Sequence, residues 1–415
     1  MTGLSTSSFQ VHGVCSSGWE AVGQAFLENF TRRFERGGSV SVVFRGEKVV
    51  DLWAGIVDED TNAPWQEDTL ALVFSTTKGM AALCCAHAHA HGLLDYDMPV
   101  AEVWPEFAAA GKDEITIRQL LEHQAGLSVV PKVSLEELED LDVMAEKIAK
   151  VTPLWEPGSA VGYHVYTQGM YVGELVRRIT GKNIAEYFHE HFRDGLGIDY
   201  HMGLPDDEVY RTARIHMPKW GDVFASIPPF LAQSLYKKEV GTELPFLWRS
   251  QLPWTLSFRA MNCVPFLDPN SVEHFNDPRA RRLVLPSAIG FTNARQLARL
   301  YGALALGGEL DGNRIMDDVT WQKTQNEAAR SKDKVLHQPN AFSFGFARPS
   351  VVNTLGEGER SFGFGGAGGS IGFADPDFEL GFGYAMNTMW YRFRDPRFMA
   401  LREASFRCAR IQQAW

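Results

Sequence analysis

Ser75 and Lys78 stand three residues apart in the run LALVFSTTKGMAALCCAHAHAHG, a hydroxyl and an amine at a spacing that suits nucleophilic catalysis. Met80 to Leu83 are good helix formers, so the segment is expected to be helical and to bring positions 75 and 78 to one face. A serine hydroxyl is a weak nucleophile at neutral pH; it needs a neighbouring base, and donors for the negative charge that develops in acyl transfer. A lysine can take the proton only when neutral, which burial promotes, and a helix N-terminus favours the developing charge. S-x-x-K also arises by chance, with a capping serine and a surface lysine, so the pair alone decides little.

Other chemistry-bearing residues are less telling. His87, His89 and His91 alternate before Gly92; His87 and His91 would share a helical face, but no third metal ligand is in the pattern, and they read as ordinary helix histidines. His189-Glu190-His191 is too closely spaced for a zincin helix. The five cysteines, Cys15, Cys84, Cys85, Cys263 and Cys408, are scattered without C-x-x-C spacing, against a disulfide framework or structural zinc. No metal and no other cofactor is expected. A net charge of −11 with only short basic pieces argues against a nucleic-acid partner. The start, MTGLSTSSFQVHG, has no signal-peptide pattern, and nowhere do eighteen apolar residues run together. The expectation is a cytoplasmic protein with no membrane partner, and homo-oligomers are left open.

These residues must be held by a chain of 415 residues, 45% hydrophobic and 22% charged, long enough for two lobes or one domain with a large insertion. Trp19, Val22, Phe26, Phe30 and Phe34 predict an amphipathic helix over 17–36, ended by Gly37-Gly38. SVSVVFR (39–45) and KVVDLWAGIVD (48–58) read as a hairpin across Gly46-Glu47. Between about 60 and 290 the signals are mostly helical: 116–121, a helix started by the Ser134/Glu137 capping box, and 168–180 ending at Gly181. Residues 219–285 are rich in Trp, Phe and Pro with little periodicity, as in an irregular lid or pocket wall; the stretch around Trp220, Phe230, Trp248 and Trp254 is expected to set the pocket, and which of its side chains line it is left open. After a helix at 293–301, strands are predicted at 341–348, 370–375 and 379–387, then a helix over 396–412. The fold class is α+β: an antiparallel sheet built from both termini and flanked by helices, with a large, mostly α-helical inserted region. The expected division is 1–70 for the N-terminal part of the α/β domain, 71–290 for the helical region with its aromatic-rich lid, and 291–415 for the C-terminal part.

With that layout the chain resembles the serine β-lactamase and penicillin-binding-protein-like superfamily, and within it the family VIII carboxylesterases. The matching segments are STTK (75–78), HGLLDYDMPVAEVWPEF (91–107), ITIRQLLEHQAGL (115–127), EPGSAVGYHVYTQGMYVGELVRRITGKNI (156–184) and FGFGGAGGSIGFADP (362–376). The resemblance implies a β-lactamase-like fold and a tyrosine facing the serine, which falls on Tyr163; a phenol there could relay a proton or, ionised, act as base. Tyr166 is a nearby rival, and His164 invites a Ser–His reading for which no acidic partner is placed. The third motif, Lys-Thr-Gly or His-Thr-Gly in β-lactamases, aligns here with Phe364-Gly365-Gly366, which lacks the cation that would pair with a substrate carboxylate. Val165 stands where the second motif often carries an amide-binding Asn. Both departures favour a neutral, apolar acyl substrate bound against Phe364, Gly365, Gly366 and Val165. The resemblance further implies an oxyanion hole made by the backbone N–H groups of Ser75 and Ala367.

Two other motifs overlap that stretch. Gly368-Gly369-Ser370-Ile371-Gly372 spells G-x-S-x-G, and Gly363 to Gly368 spells G-x-G-x-x-G. Each requires a following helix, whereas IGFADPDFELGFGYAMN reads as strand, turn and strand, so both are set aside. The leading expectation is a serine carboxylesterase working on small or short-chain apolar esters, its small-molecule partners, through an acyl-enzyme on Ser75, with Lys78 and Tyr163 moving the proton. Alternatives on the same fold are a β-lactamase, a D-aminopeptidase or carboxypeptidase-like hydrolase, and an acyltransferase; outside catalysis, a silent binding protein that kept the fold.

Overall fold

In the computed structural model, which describes residues 10–227, 243–268, 271–326 and 329–413, the two ends of the chain meet in one sheet. The N-terminal part supplies strands β1 Val11–Cys15, β2 Gly37–Phe44 and β3 Glu47–Gly55. The C-terminal part supplies β4 Ala329–Lys332, β5 Pro339–Ser343, β6 Phe346–Ala347, β7 Phe362–Gly365, β8 Ile371–Asp375 and β9 Leu380–Met386. Their order is β1-β3-β2-β9-β8-β7-β6-β5-β4, and each pair is antiparallel. The two halves join where β2 runs beside β9, from Phe44 opposite Leu380 to Gly38 opposite Met386.

The five longer helices that matter for the site are α1 Glu20–Arg32, α2 Thr77–Ala90, α3 Thr167–Thr180, α4 Ala294–Ala305 and α5 Pro396–Gln413. Alternation along β9 explains how they cover the sheet. Phe382, Tyr384 and Met386 pack with Phe26 and Phe30 of α1 and Phe398 and Phe406 of α5. The intervening residues turn to the opposite face, and there α4 lies so close that a Cβ on Gly383 would stand 2.2 Å from the Ala294 carbonyl oxygen. Helix α2 runs through the helical region with Met80 to Ala86 all fully buried, as expected of a helix apolar on every side. Among the described residues no helix is long and apolar enough to cross a membrane.

Several predicted elements are corrected. The run 341–348 is not one strand but a tight hairpin, because Phe344 and Gly345 adopt φ of 49° and 92° and fold β6 back onto β5. The helix started by the Ser134/Glu137 capping box stops at Glu139, and Asp140 caps a second helix, Leu141–Ala149, through the N–H groups of Asp142 and Val143. The hairpin turn between β2 and β3 falls on Arg45-Gly46, both with positive φ, one residue before the predicted position. The irregular aromatic stretch holds short helices, among them Leu256–Met261 and Pro278–Arg282, capped by Thr255 and Asp277. Strands β1 and β4 were absent from the sequence reading; both are edge strands, with exposed residues that blur the apolar pattern.

Candidate active site

Ser75 lies in a 3-10 turn, Phe74–Thr76, that runs directly into α2. Phe74 holds a φ of 47°, a strained value for a non-glycine residue, and its buried ring packs edge-on against Phe275 at 5.0 Å. One turn on, Lys78 is fully buried. Its Nζ lies 3.3 Å from Ser75 Oγ and donates to the carbonyl oxygens of Val165 and Ser287, each at 2.7 Å. No carboxylate pairs with it among the described residues, and burial holds the amine well below the usual lysine range. Neither carbonyl partner could be foreseen, since a backbone oxygen carries no residue identity.

Tyr163 faces this pair, its ring centroid 4.8 Å from Lys78 Nζ. Burial pushes the phenol well above the usual tyrosine range, against a hydrogen bond with Ser75 that draws it down. Its backbone N–H donates to both carboxylate oxygens of Asp333 at 3.1 Å. Asp333 is buried and also takes N–H groups from Val335, Leu336 and Asn340, which fixes the tyrosine loop. The rival Tyr166 donates its hydroxyl to the Leu267 carbonyl at 2.7 Å and belongs to the core. His164 is fully engaged: Nδ1 donates to the Gly162 carbonyl at 2.6 Å, and Nε2 accepts from the Leu127 N–H at 2.9 Å. That leaves no lone pair for a serine proton, and burial first of all lowers its pKa to about 4. His87 lies elsewhere, with Nδ1 2.7 Å from the Tyr187 hydroxyl; among the described residues no group of three or more His, Cys, Asp or Glu stands where it could hold a metal ion.

The opposite wall is β7 and the turn after it. Phe364 stacks with Phe342 and Tyr163 at 6.1 and 6.3 Å, and Ala367 begins a short turn, Ala367–Gly369, before β8. Ser75, Tyr163, Val165, Phe364, Gly365 to Ala367 all border one cavity of about 370 Å³. Ser75 and Ala367 stand early in 3-10 turns, where an N–H has no partner within the turn. The aromatic-rich stretch supplies part of the remaining wall through Phe246, Leu247 and Met261; of the residues named within it, Trp220, Trp248 and Trp254 are 77%, 66% and 76% exposed and do not border the cavity, and Phe230 lies outside the described residues. Phe342, Trp390, Tyr391 and Phe393 complete the wall. A larger surface groove of about 760 Å³, bordered by Val129, Lys132, Lys150 and Arg259, holds none of the expected site residues.

Ser370 is followed by a strand and not by a helix, so the nucleophile elbow is not formed. Its buried hydroxyl donates to the Val73 carbonyl at 2.8 Å and lies 3.2 Å from Thr76 Oγ1, clamping the β7–β8 turn to the turn that bears Ser75. Ser370→Ala is expected to lower ester turnover about tenfold, through loosened geometry. A loss as deep as that of Ser75→Ala, in the same assay, would count against this account.

The family profile described as Beta-lactamase matches residues 26–405. The chain belongs to the beta-lactamase family. It is 33% identical over 384 residues to the Esterase/beta-lactamase LipL of Mycobacterium tuberculosis, a match covering 92% of this chain and 83% of that protein. Among solved structures, a family VIII carboxylesterase superposes with a TM-score of 0.82 at 36% identity, covering 96% of this chain and 99% of that one. A penicillin-binding protein homologue from Caulobacter crescentus gives 0.81 at 34% identity, with the same two coverages. This beta-lactamase-family chain is thus an α+β serine hydrolase by fold and family, with Phe364 at the position where the resemblance expects a cation.

Proposed function

We propose that the protein is a serine carboxylesterase that hydrolyses small, apolar esters through an acyl-enzyme on Ser75. The observation that carries the reading is the state of Lys78: fully buried, with no carboxylate beside it among the described residues, and depressed in pKa. A neutral amine has two N–H bonds. The Val165 and Ser287 carbonyls take both, which leaves the lone pair to face Ser75 Oγ at 3.3 Å.

Ser75 Oγ attacks the ester carbonyl carbon while its proton passes to Lys78 Nζ. The ammonium so formed keeps its two carbonyl contacts and lies 4.8 and 5.9 Å from the ring centroids of Tyr163 and Phe364, a cation–π arrangement that offsets the charge. The carbonyl oxygen gains negative charge near the Ser75 and Ala367 N–H groups. Tyr163, kept neutral by burial, fits a relay that protonates the departing alkoxide and is re-supplied by Lys78, and not an ionised base. Water then attacks the acyl-enzyme and the acid leaves. Esterase names among the relatives support the reading, and five free cysteines fit a cytoplasmic setting.

Substrate class rests on Phe364 and Val165. Both border the cavity and neither can pair with a carboxylate, so p-nitrophenyl acetate or butyrate is expected to turn over far faster than the cephalosporin nitrocefin. Phe364→Lys should shift the ratio of kcat/KM toward nitrocefin by about ten- to a hundredfold, since a charge-assisted contact contributes roughly 1.5 to 3 kcal/mol. Nitrocefin hydrolysis by the parent at the rate of its best ester would replace the esterase reading with a β-lactamase one.

A further inference from the structure

Gly368 and Gly369 follow Ala367 with φ of 82° and 116°, values open to glycine and costly for other residues. Two glycines in succession are also the freest backbone a chain can carry; the turn's own hydrogen bonds, from the Gly366 N–H to the Ser370 carbonyl at 2.7 Å and from the Gly369 N–H to the Gly366 carbonyl at 3.3 Å, close its two ends and leave the Gly368 carbonyl to be held from outside. Outside it stands Arg397, at the start of α5 and fully buried. Its guanidinium donates to the Gly368 carbonyl at 2.7 Å and to the Thr388 carbonyl at 3.0 Å. The Trp390 N–H donates to the same Gly368 oxygen at 3.2 Å.

Two buried carboxylates hold the guanidinium in place. Asp395 accepts from Nη2 at 2.6 Å and from Nε at 3.1 Å, and Glu35 accepts from Nη1 at 3.0 Å. Glu35 is itself fixed by the Tyr384 hydroxyl of β9 and by the Arg36 N–H at 3.1 Å. Attraction within such a buried triad does little more than balance the loss of hydration, and an apolar filling would serve stability as well. What apolar side chains could not do is grip a carbonyl in a glycine turn.

We propose that Arg397 is a positioning residue of the oxyanion hole: anchored by Asp395 and Glu35, it pins the Gly368 carbonyl and thereby aims the Ala367 N–H. The proposal rests on the reading of Ser75 and Ala367 given above. Because Thr388 directly precedes Met389 and Trp390 of the cavity wall, the same guanidinium also sets the spacing between the turn and that wall.

Arg397→Lys keeps the charge, but one ammonium cannot reproduce the planar fork that reaches Gly368, Thr388, Asp395 and Glu35. With active sites counted by fluorophosphonate titration, kcat for p-nitrophenyl butyrate should fall about ten- to a hundredfold while KM stays within about twofold. Affinity for a boronic acid, which mimics the tetrahedral state, should fall by the same factor as kcat/KM; affinity for an apolar alcohol that fills the cavity should not. The triple variant Glu35→Gln, Asp395→Asn, Arg397→Met removes the charges together and should melt near the parent with the same kinetic loss. Parent-like kcat and boronate affinity in these folded variants would overturn the proposal, as would equal weakening of boronate and alcohol. If the parent itself is not labelled at Ser75, the reading of the site fails; if it is labelled and the variants keep full rate, only the role of Arg397 fails.

Discussion

Ser75→Ala should lower ester hydrolysis by on the order of 10⁴-fold or more, the loss seen when a covalent nucleophile is removed, while leaving the fold intact. Little else depends on the hydroxyl: Lys78 keeps its two carbonyl contacts, the Tyr163 ring stays stacked on Phe342 and Phe364, and the turn is held by Thr76 and Ser370. Thermal melting should therefore barely change. Mass spectrometry of the parent after treatment with a fluorophosphonate should find the adduct on Ser75. An adduct elsewhere, or near-normal turnover by the alanine variant, would end the acyl-enzyme reading.

Lys78→Met should lower kcat by about 10²- to 10⁴-fold, the range for loss of a general base, and its effect on stability should depend on pH. In the folded parent burial depresses the lysine below its ordinary value near 10.5, whereas the unfolded chain takes up the proton at neutral pH. The unfolded state thus binds more protons, so the parent gains stability as pH rises between the depressed pKa and about 10.4, and loses it as pH falls. Methionine cannot titrate. Relative to the parent, the variant should become progressively more stable on going from pH 10 to pH 7, read as urea midpoints. For the same reason kcat/KM of the parent should rise with pH along one acid limb set by Lys78. A stability difference independent of pH would mean that Lys78 stays protonated in the fold.

Ser75 and Lys78 are legible in the sequence because their relation is local, one turn of helix apart. Tyr163 and Ala367 are legible only through the resemblance, since contacts between distant segments leave no periodic trace. The sheet from both ends was readable from β-branched and alternating runs, yet F-S-F-G-F at 342–346 alternates like a strand and conceals a hairpin whose φ values alone reveal it. The carbonyls of Val165 and Ser287 and the pin on Gly368 had no signal, because backbone atoms do the work there. Aromatic density marks 219–285 as pocket wall, and Phe246 and Met261 of that stretch border the cavity; density alone does not say which rings turn inward, so Trp220, Trp248 and Trp254 stand exposed while Trp390 and Phe393 join the wall from a stretch without any pattern.

The seam between β2 and β9 has a consequence for the birth of the molecule. A ribosome delivers Ser75, Lys78 and Tyr163 well before Ala367, and β2 lacks its neighbour until Leu380 to Met386 have emerged. A nascent chain therefore carries the proposed nucleophile without the turn proposed to stabilise an oxyanion, and bears an unpaired apolar strand edge open to aggregation or to a chaperone. Closing a seam between such distant segments makes folding slow. On the proposed acyl-enzyme mechanism it would also keep the half-made chain from acylating itself on cellular esters, because the turn bearing Ala367 and the strands that hold it arrive last.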